Sequence, residues 1–256
     1  MNKIIVFLCF LFLTFNLKAQ TFKIDTSSIT YENKLRPCLL TQIDASANDT
    51  KRAWIKFVKK NYEVKLKGFG FLKNKDMLTA TDVTISKISS KRMNVYTRIL
   101  STANGTEIKY FASFGYDFFI GPNSFPTEFE IMKNDFNTFL NAYLNEFYTD
   151  EIDSYTKKIK SLEKDKSNMS KKIAKTQDKL LAYKKDLAVI EVEIAHKNIT
   201  DSKLIEKQSK LNNKITDAER SNVNSTLKIK EIDEMLNNTK QVLEILKTKH
   251  FNLIKN

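Results

Sequence analysis

From Thr127 to the last residue the chain contains no Gly and no Pro. Those two residues most often interrupt a helix, so about half of this sequence is free to run as unbroken helix. Apolar residues recur here at alternating steps of three and four. The first series is Ile152, Tyr155, Ile159, Leu162, Lys166, Met169, Ile173, Thr176, Leu180, Tyr183, Leu187, Ile190 and Ile194. The second is Leu204, Gln208, Leu211, Ile215, Ala218, Asn222, Ser225, Ile229, Ile232, Leu236, Thr239, Leu243 and Leu246. A repeat of this kind averages 3.5 residues and keeps one seam turned toward a partner helix. Lys, Glu and Asp fill most other positions, as a solvated outer face requires.

Phase alone would allow one continuous rod in a parallel oligomer, because the register runs unbroken from Ile194 to Leu204. Composition points instead to a hairpin. Lys197-Asn198-Ile199-Thr200-Asp201-Ser202 combines poor helix formers with good capping residues, at the midpoint of the pattern. Folding there sets Leu162 opposite Leu236, Met169 opposite Ile229, Leu180 opposite Ala218 and Thr176 opposite Asn222. A polar seam residue then meets another polar one rather than Leu. The expected layout is an antiparallel coiled-coil hairpin over 149–256 with its turn near 197–203.

The chain opens Met1-Asn2-Lys3, followed by an apolar run from Ile4 to Phe15 and then Asn16-Leu17-Lys18-Ala19-Gln20. A basic start, about a dozen apolar residues and a small residue before the cut read as a secretory signal peptide over 1–19. The run is short of the about 20 residues a membrane-spanning helix needs, so no span is expected after cleavage. The expected localisation is across the inner membrane, in the periplasm or at the cell surface. Taking Lys3 and Lys18 from the formal charge of +13 leaves +11. For a cytosolic chain such charge would suggest nucleic acid; for an exported one the anionic neighbours are envelope lipid or polysaccharide, or the Lys face is simply solvated. Cleavage would leave one cysteine, Cys38, which cannot staple its own chain.

Residues 20–34 are polar, with sparse apolar positions, and read as a linker or a loosely attached strand. Every Gly, every Pro and the only Trp lie in 35–148. Pro37–Ile43 reads as a strand, and Asn48 or Asp49 as the cap of a helix reaching Tyr62, with Trp54, Phe57 and Val58 on one face. Glu63–Phe71 alternates as a second strand, in which Gly68 and Gly70 suggest a bulge or a close backbone approach. Met77–Ile85 and Met93–Ile99 supply two more strands. Asn104-Gly105 signals a hairpin of type I′, followed by a strand whose alternation runs Ile108, Tyr110, Ala112, Phe114, Tyr116, Phe118. Pro126, or a capping box Thr127…Glu130, opens a helix with the stripe Phe129, Met132, Phe136, Phe139, Leu140, Tyr143, Phe147. The expected class is α+β: a small antiparallel sheet with helices on one face, in the order β-α-β-β-β-β-α, then the helical hairpin. This layout resembles that of uncharacterised exported bacterial proteins that join a small α/β head to a C-terminal coiled coil. The Lys-Ala-Gln end of the leader and the Asn, Lys and Ile content resemble those of exported proteins of AT-rich Gram-negative bacteria.

The sequence carries no catalytic set. Its two histidines, His196 and His250, lie at opposite ends of a hairpin arm, which argues against a two-His metal site or a Ser/His/Asp triad. No Cys pair, HExxH or P-loop occurs. No catalytic, cofactor or metal-ligating residue is therefore assigned. The carboxylates Asp82 and Asp117 fall opposite the main apolar alternation, where a pair could serve acid–base hydrolysis or simply be solvated. Phe69, Phe71, Tyr96, Phe111 and Phe119 could line a surface for a partner or a small or lipidic ligand, or could be core. The functional expectation is a non-enzymatic scaffold or interaction protein of the cell envelope. Its head would bind a protein partner or self-associate, with the hairpin as spacer or assembly arm. The alternatives are a lipid- or small-molecule-binding head and a carboxylate hydrolase.

Overall fold

The computed structural model describes residues 22–68, 77–197 and 202–255. The expected signal peptide, the aromatic positions Phe69 and Phe71, Gly70 and the core of the expected hairpin turn lie outside the described residues. Among the described residues there are five strands and three helices: β1 Asp25–Tyr31, β2 Lys34–Ile43, α1 Ala47–Tyr62, β3 Met77–Thr84, β4 Arg92–Thr102, β5 Gly105–Ser113, α2 Pro126–Lys197 and α3 Ser202–Lys255. The strands form one antiparallel sheet in the order β1-β2-β5-β4-β3. The chain divides into two compact units: the described residues up to Asp150 together with those from Lys247 onward, and Glu151–Leu246.

The order of elements differs from the expectation in two places. Residues 25–31 are a strand rather than a linker, paired along their whole length with β2. Their two-residue turn is Glu32-Asn33, both at positive φ (50° and 59°), which is the type I′ pattern without its usual Asn-Gly signature. Glu63–Phe71 is not a full strand in its described part. Glu63 closes α1 in the left-handed region at φ 59°, and only Lys67 pairs, exchanging two backbone bonds with Thr79 (2.7 and 2.8 Å). Val64 and Leu66 are still buried there. Gly68 permits the approach: at φ 109° an added Cβ would lie 2.1 Å from the Met77 carbonyl oxygen.

Smaller corrections have equally local causes. The α1 cap is Ser46, whose Oγ accepts from the Asp49 amide (3.2 Å), with Asp49 in the first turn completing a capping pair. In the β4–β5 hairpin the positive φ falls on Gly105 (135°), so Ala103-Asn104 forms the connection. The alternation of β3 breaks between Ala80 and Val83, where Asp82 takes a φ of 56°.

Both α1 and the first part of α2 cover one face of the sheet. Thr97 and Tyr110 pair across β4 and β5 on that face. Trp54, fully buried, donates from Nε1 to Thr97 Oγ1 (2.8 Å) and lies 5.1 Å from the Tyr110 ring, with Phe136 and Phe139 at 5.7 and 4.8 Å. Along α2 the buried stripe is Phe129, Met132, Phe136, Phe139, Leu140, Leu144 and Tyr148. It drifts to Leu144 and Tyr148 in place of the expected Tyr143 and Phe147. Beneath the helices Tyr62 donates to buried Asp135 (2.8 Å), which also pairs with Lys87, and burial raises the Tyr62 phenol far above its ordinary value.

In the second unit α2 and α3 run antiparallel as a hairpin. Cross-helix ion pairs Lys166–Asp233 (2.6 Å), Lys184–Glu219 (2.9 Å) and Lys240–Glu163 (3.5 Å) match the expected register. Every seam position of both series is buried or half-buried, and the positions between them are mostly exposed. Two of the polar seam residues find local solutions. Lys166 reaches out to Asp233, and the Thr176 hydroxyl donates back to the Lys172 carbonyl (2.9 Å).

Candidate functional site

The face of the sheet turned away from α1 carries a second, smaller core. Tyr96 and Phe111 pair across β4 and β5 there and stack at 4.9 Å. Ile29, Cys38 and Phe119 join them, with Tyr31 and Met77 packed at the edge. The structure thus brings together Tyr96, Phe111 and Phe119 of the expected surface, but buries all three against one another. Burial of Cys38 pushes its thiol up to about 11, which keeps it protonated and unreactive at neutral pH.

What this small core does is hold a loop. β5 ends at Ser113, and the apolar alternation beyond it is not strand. Phe114 donates to the Phe118 carbonyl (2.9 Å), Phe118 to that of Gly115 (3.1 Å), and Ile120 back to that of Ala112 (2.9 Å). The loop returns so that Ser113 bridges Phe119, and the Phe119 ring drops into the core. The buried Arg36 guanidinium lies 4.3 Å over that ring and donates to Asp117 Oδ1 (2.6 Å), while Lys34 donates to Asp117 Oδ2 (2.5 Å). Asp117 therefore clamps the loop to the start of β2. The hydrogen bonds from Lys34 and Arg36 hold its carboxyl below the usual carboxylate range.

The clamp leaves two aromatic side chains outside. Tyr116 is 96% exposed and Phe118 62%, and Leu35, between the two residues that hold Asp117, is 73% exposed. Tyr116 also sits at φ 47°, next to Gly115 at 98°. A non-glycine residue in the left-handed region costs about 1–2 kcal/mol, and an exposed ring gains nothing from burial to offset it. Backbone strain together with full exposure is the pattern expected of a contact residue. The tip is built by a tight loop and presents apolar side chains beside the Lys34–Asp117–Arg36 ion pairs.

The two carboxylates considered for acid–base chemistry stand apart. Asp82, on β3, pairs with Arg92 (2.8 Å), and Asp117 is bound to β2. Three strand steps separate β3 from β2, roughly 14 Å at about 4.8 Å per step, well beyond the roughly 5–9.5 Å of a glycosidase pair. His250 pairs with Asn145 (2.8 Å), and among the described residues no three His, Cys, Asp or Glu side chains gather as a metal site. No helix in the described residues is long and apolar enough to cross a membrane. A shallow groove of about 360 Å³ between α1 and α2 is lined by Lys56, Phe57, Lys60, Phe139, Tyr143 and Glu146.

Compared with protein-family models, curated proteins and solved structures, the chain matches none.

Loop and clamp make a pH prediction. Because folding lowers the Asp117 pKa, its contribution is fully present above the unfolded value of about 3.9 and is lost as pH falls below that value through the folded pKa. In NMR spectra the Gly115 and Phe118 amides should shift together with a midpoint below about pH 3.9. Asp117→Asn should abolish that titration. Amides that titrate at or above the ordinary carboxylate value would show that the clamp is not made in solution.

Proposed function

We propose that the chain is an exported, non-enzymatic interaction or scaffold protein of the cell envelope. Its sheet-bearing unit engages a protein partner, and its helical hairpin serves as spacer or assembly arm. The observation that carries this reading is the tip: Tyr116 held in a strained backbone conformation with its ring in solvent, two residues from the exposed Phe118. An aromatic pair of this kind, on a loop clamped from both sides, is pre-organised for binding and loses little side-chain freedom when it is covered. The hairpin supports the second half of the reading. Its seam positions are buried or half-buried within the unit, while its outer face is rich in Lys and Glu.

A photo-cross-linking residue placed at position 116 tests the proposal in cells that export the protein. One discrete adduct is expected, and Phe118→Ser should abolish it, because the two rings share the tip. A control placed at the exposed Lys230 of the hairpin should give no adduct of the same mass. If position 116 yields no adduct and light scattering finds a lone monomer, the interaction reading is wrong.

A further inference from the structure

The two edges of the sheet are finished differently. The β3 edge is guarded: the pairing slips between Ala80 and Val83, Asp82 turns to φ 56°, and Lys67 bridges Thr79 from outside. Bulges and covering segments are the devices that stop an edge from recruiting another strand. Among the described residues the β1 edge has none of them. Asp25-Thr26-Ser27-Ser28-Ile29-Thr30-Tyr31 has no Pro, no Lys and no bulge, and is rich in β-favouring residues. Among the described residues its only neighbour in the sheet is β2.

We infer that β1 is the site at which a second copy of this chain adds, antiparallel, about a two-fold axis through Ser28. The inference rests on the reading of the sheet-bearing unit as the associating part of the molecule, and names a partner for its edge. The sequence is self-complementary in that register. Thr26 of each copy falls opposite Thr30 of the other, Ser28 opposite Ser28, Ser27 opposite Ile29, and Asp25 opposite Tyr31. No like charges meet. Thr26, Ser28 and Thr30 are exposed and share one face, whereas Asp25, Ser27 and Tyr31 are half-buried and Ile29 is buried on the other. On that second face the new strand would extend the small core past Ile29 and Tyr31. A two-fold contact of this kind is closed, so it ends at a dimer rather than growing into a fibre.

Charge placed at Thr26 and Thr30 tests the register without touching the interior. In the double variant Thr26→Lys, Thr30→Lys each lysine meets a lysine across the axis, and in Thr26→Glu, Thr30→Glu each glutamate meets a glutamate. Sedimentation equilibrium of the full chain at tens of micromolar should show a dimer for the native protein. Each variant alone should dissociate at least tenfold more readily, and an equimolar mixture of the two should recover a heterodimer. Circular dichroism checks that both variants stay folded. Hydrogen exchange of the native 25–31 amides supplies a measurement free of any substitution: it should slow as concentration rises. A native chain that stays monomeric, a Lys variant that dimerises as well as the native chain, or exchange at 25–31 independent of concentration would overturn the inference. A strand from a different protein would give the last of these, with protection that appears only when that protein is added. Cross-linking from position 116 reads the tip and not this edge, so the two readings fail separately.

Discussion

Trp54→Ala should lower the free energy of unfolding by about 3–5 kcal/mol, the range for removing a large aromatic side chain from a packed core. Denaturant titration followed by circular dichroism at a strand wavelength would measure it. Trp54, on α1, is fully buried and touches β4 through Thr97, β5 through Tyr110 and α2 through Phe136 and Phe139. It also satisfies the buried Thr97 hydroxyl through its indole N–H. Truncation therefore leaves a cavity ringed by Tyr110, Phe136 and Phe139, whose positions are fixed by their own strands and helix and which cannot collapse inward cheaply. Trp54→Phe separates the two parts of the effect. It keeps most of the ring contacts but orphans the Thr97 hydroxyl, and should cost about 1–3 kcal/mol. A loss below 1 kcal/mol for the alanine variant would mean that the helices are not held to the sheet through this residue.

Much of this architecture was readable from the chain because each element announces itself by a period. The seam from Ile152 to Ile194 and from Leu204 to Leu246 is the clearest case. A two-helix interface imposes the 3.5 repeat directly, and the pairs Lys166–Asp233 and Lys240–Glu163 fall in the register that the repeat requires. β1 was harder to see because it is an edge strand with one buried side chain, Ile29, and its turn uses Glu32-Asn33 rather than Asn-Gly. The tip was hidden for a different reason. Tyr116 and Phe118 continue the alternation of Ile108, Tyr110 and Ala112, so periodicity alone extends the strand through them. Gly115 was the available signal, since a glycine inside a strand pattern marks a bulge or an end. Nothing in sequence spacing could announce that Asp117 would be held by Lys34 and Arg36, more than eighty residues earlier. Of the aromatic residues that could be surface or core, Tyr96, Phe111 and Phe119 are core, and Phe111 and Phe119 are what the loop stands on.

Asp44→Ala is expected to cost about 2–3 kcal/mol, and to act on a part of the molecule far from Asp44 in sequence. Asp44 lies in the connection between β2 and α1, and its two oxygens serve different elements. Oδ1 accepts from the Tyr148 hydroxyl of α2 (2.7 Å), and Oδ2 pairs with Lys249 of α3 (2.5 Å). Tyr148 is fully buried, and burial first, then its bond to Asp44, raises its phenol well above the ordinary value. Removing the carboxylate leaves that hydroxyl without an acceptor, which accounts for about 1–3 kcal/mol. The Lys249 pair is about one-third exposed on both sides, with side chains 35% and 27% accessible, and adds at most about 1 kcal/mol. The consequence for the fold is specific. Within the sheet-bearing unit, Asp44 ties the last buried turn of α2 and the returning end of α3 to one loop, alongside the His250–Asn145 contact and the buried Leu253. Amides over 247–255 should therefore exchange faster in Asp44→Ala by more than the global loss of stability explains. Asp44→Asn, which keeps an acceptor for Tyr148, should restore more than half of the stability but little of the protection. Tyr148→Phe should show the reverse: little change at 247–255, because the Lys249 pair survives. Equal effects of all three substitutions on 247–255 would mean that the end of α3 is held by Leu253 and its neighbours, with Asp44 serving only Tyr148.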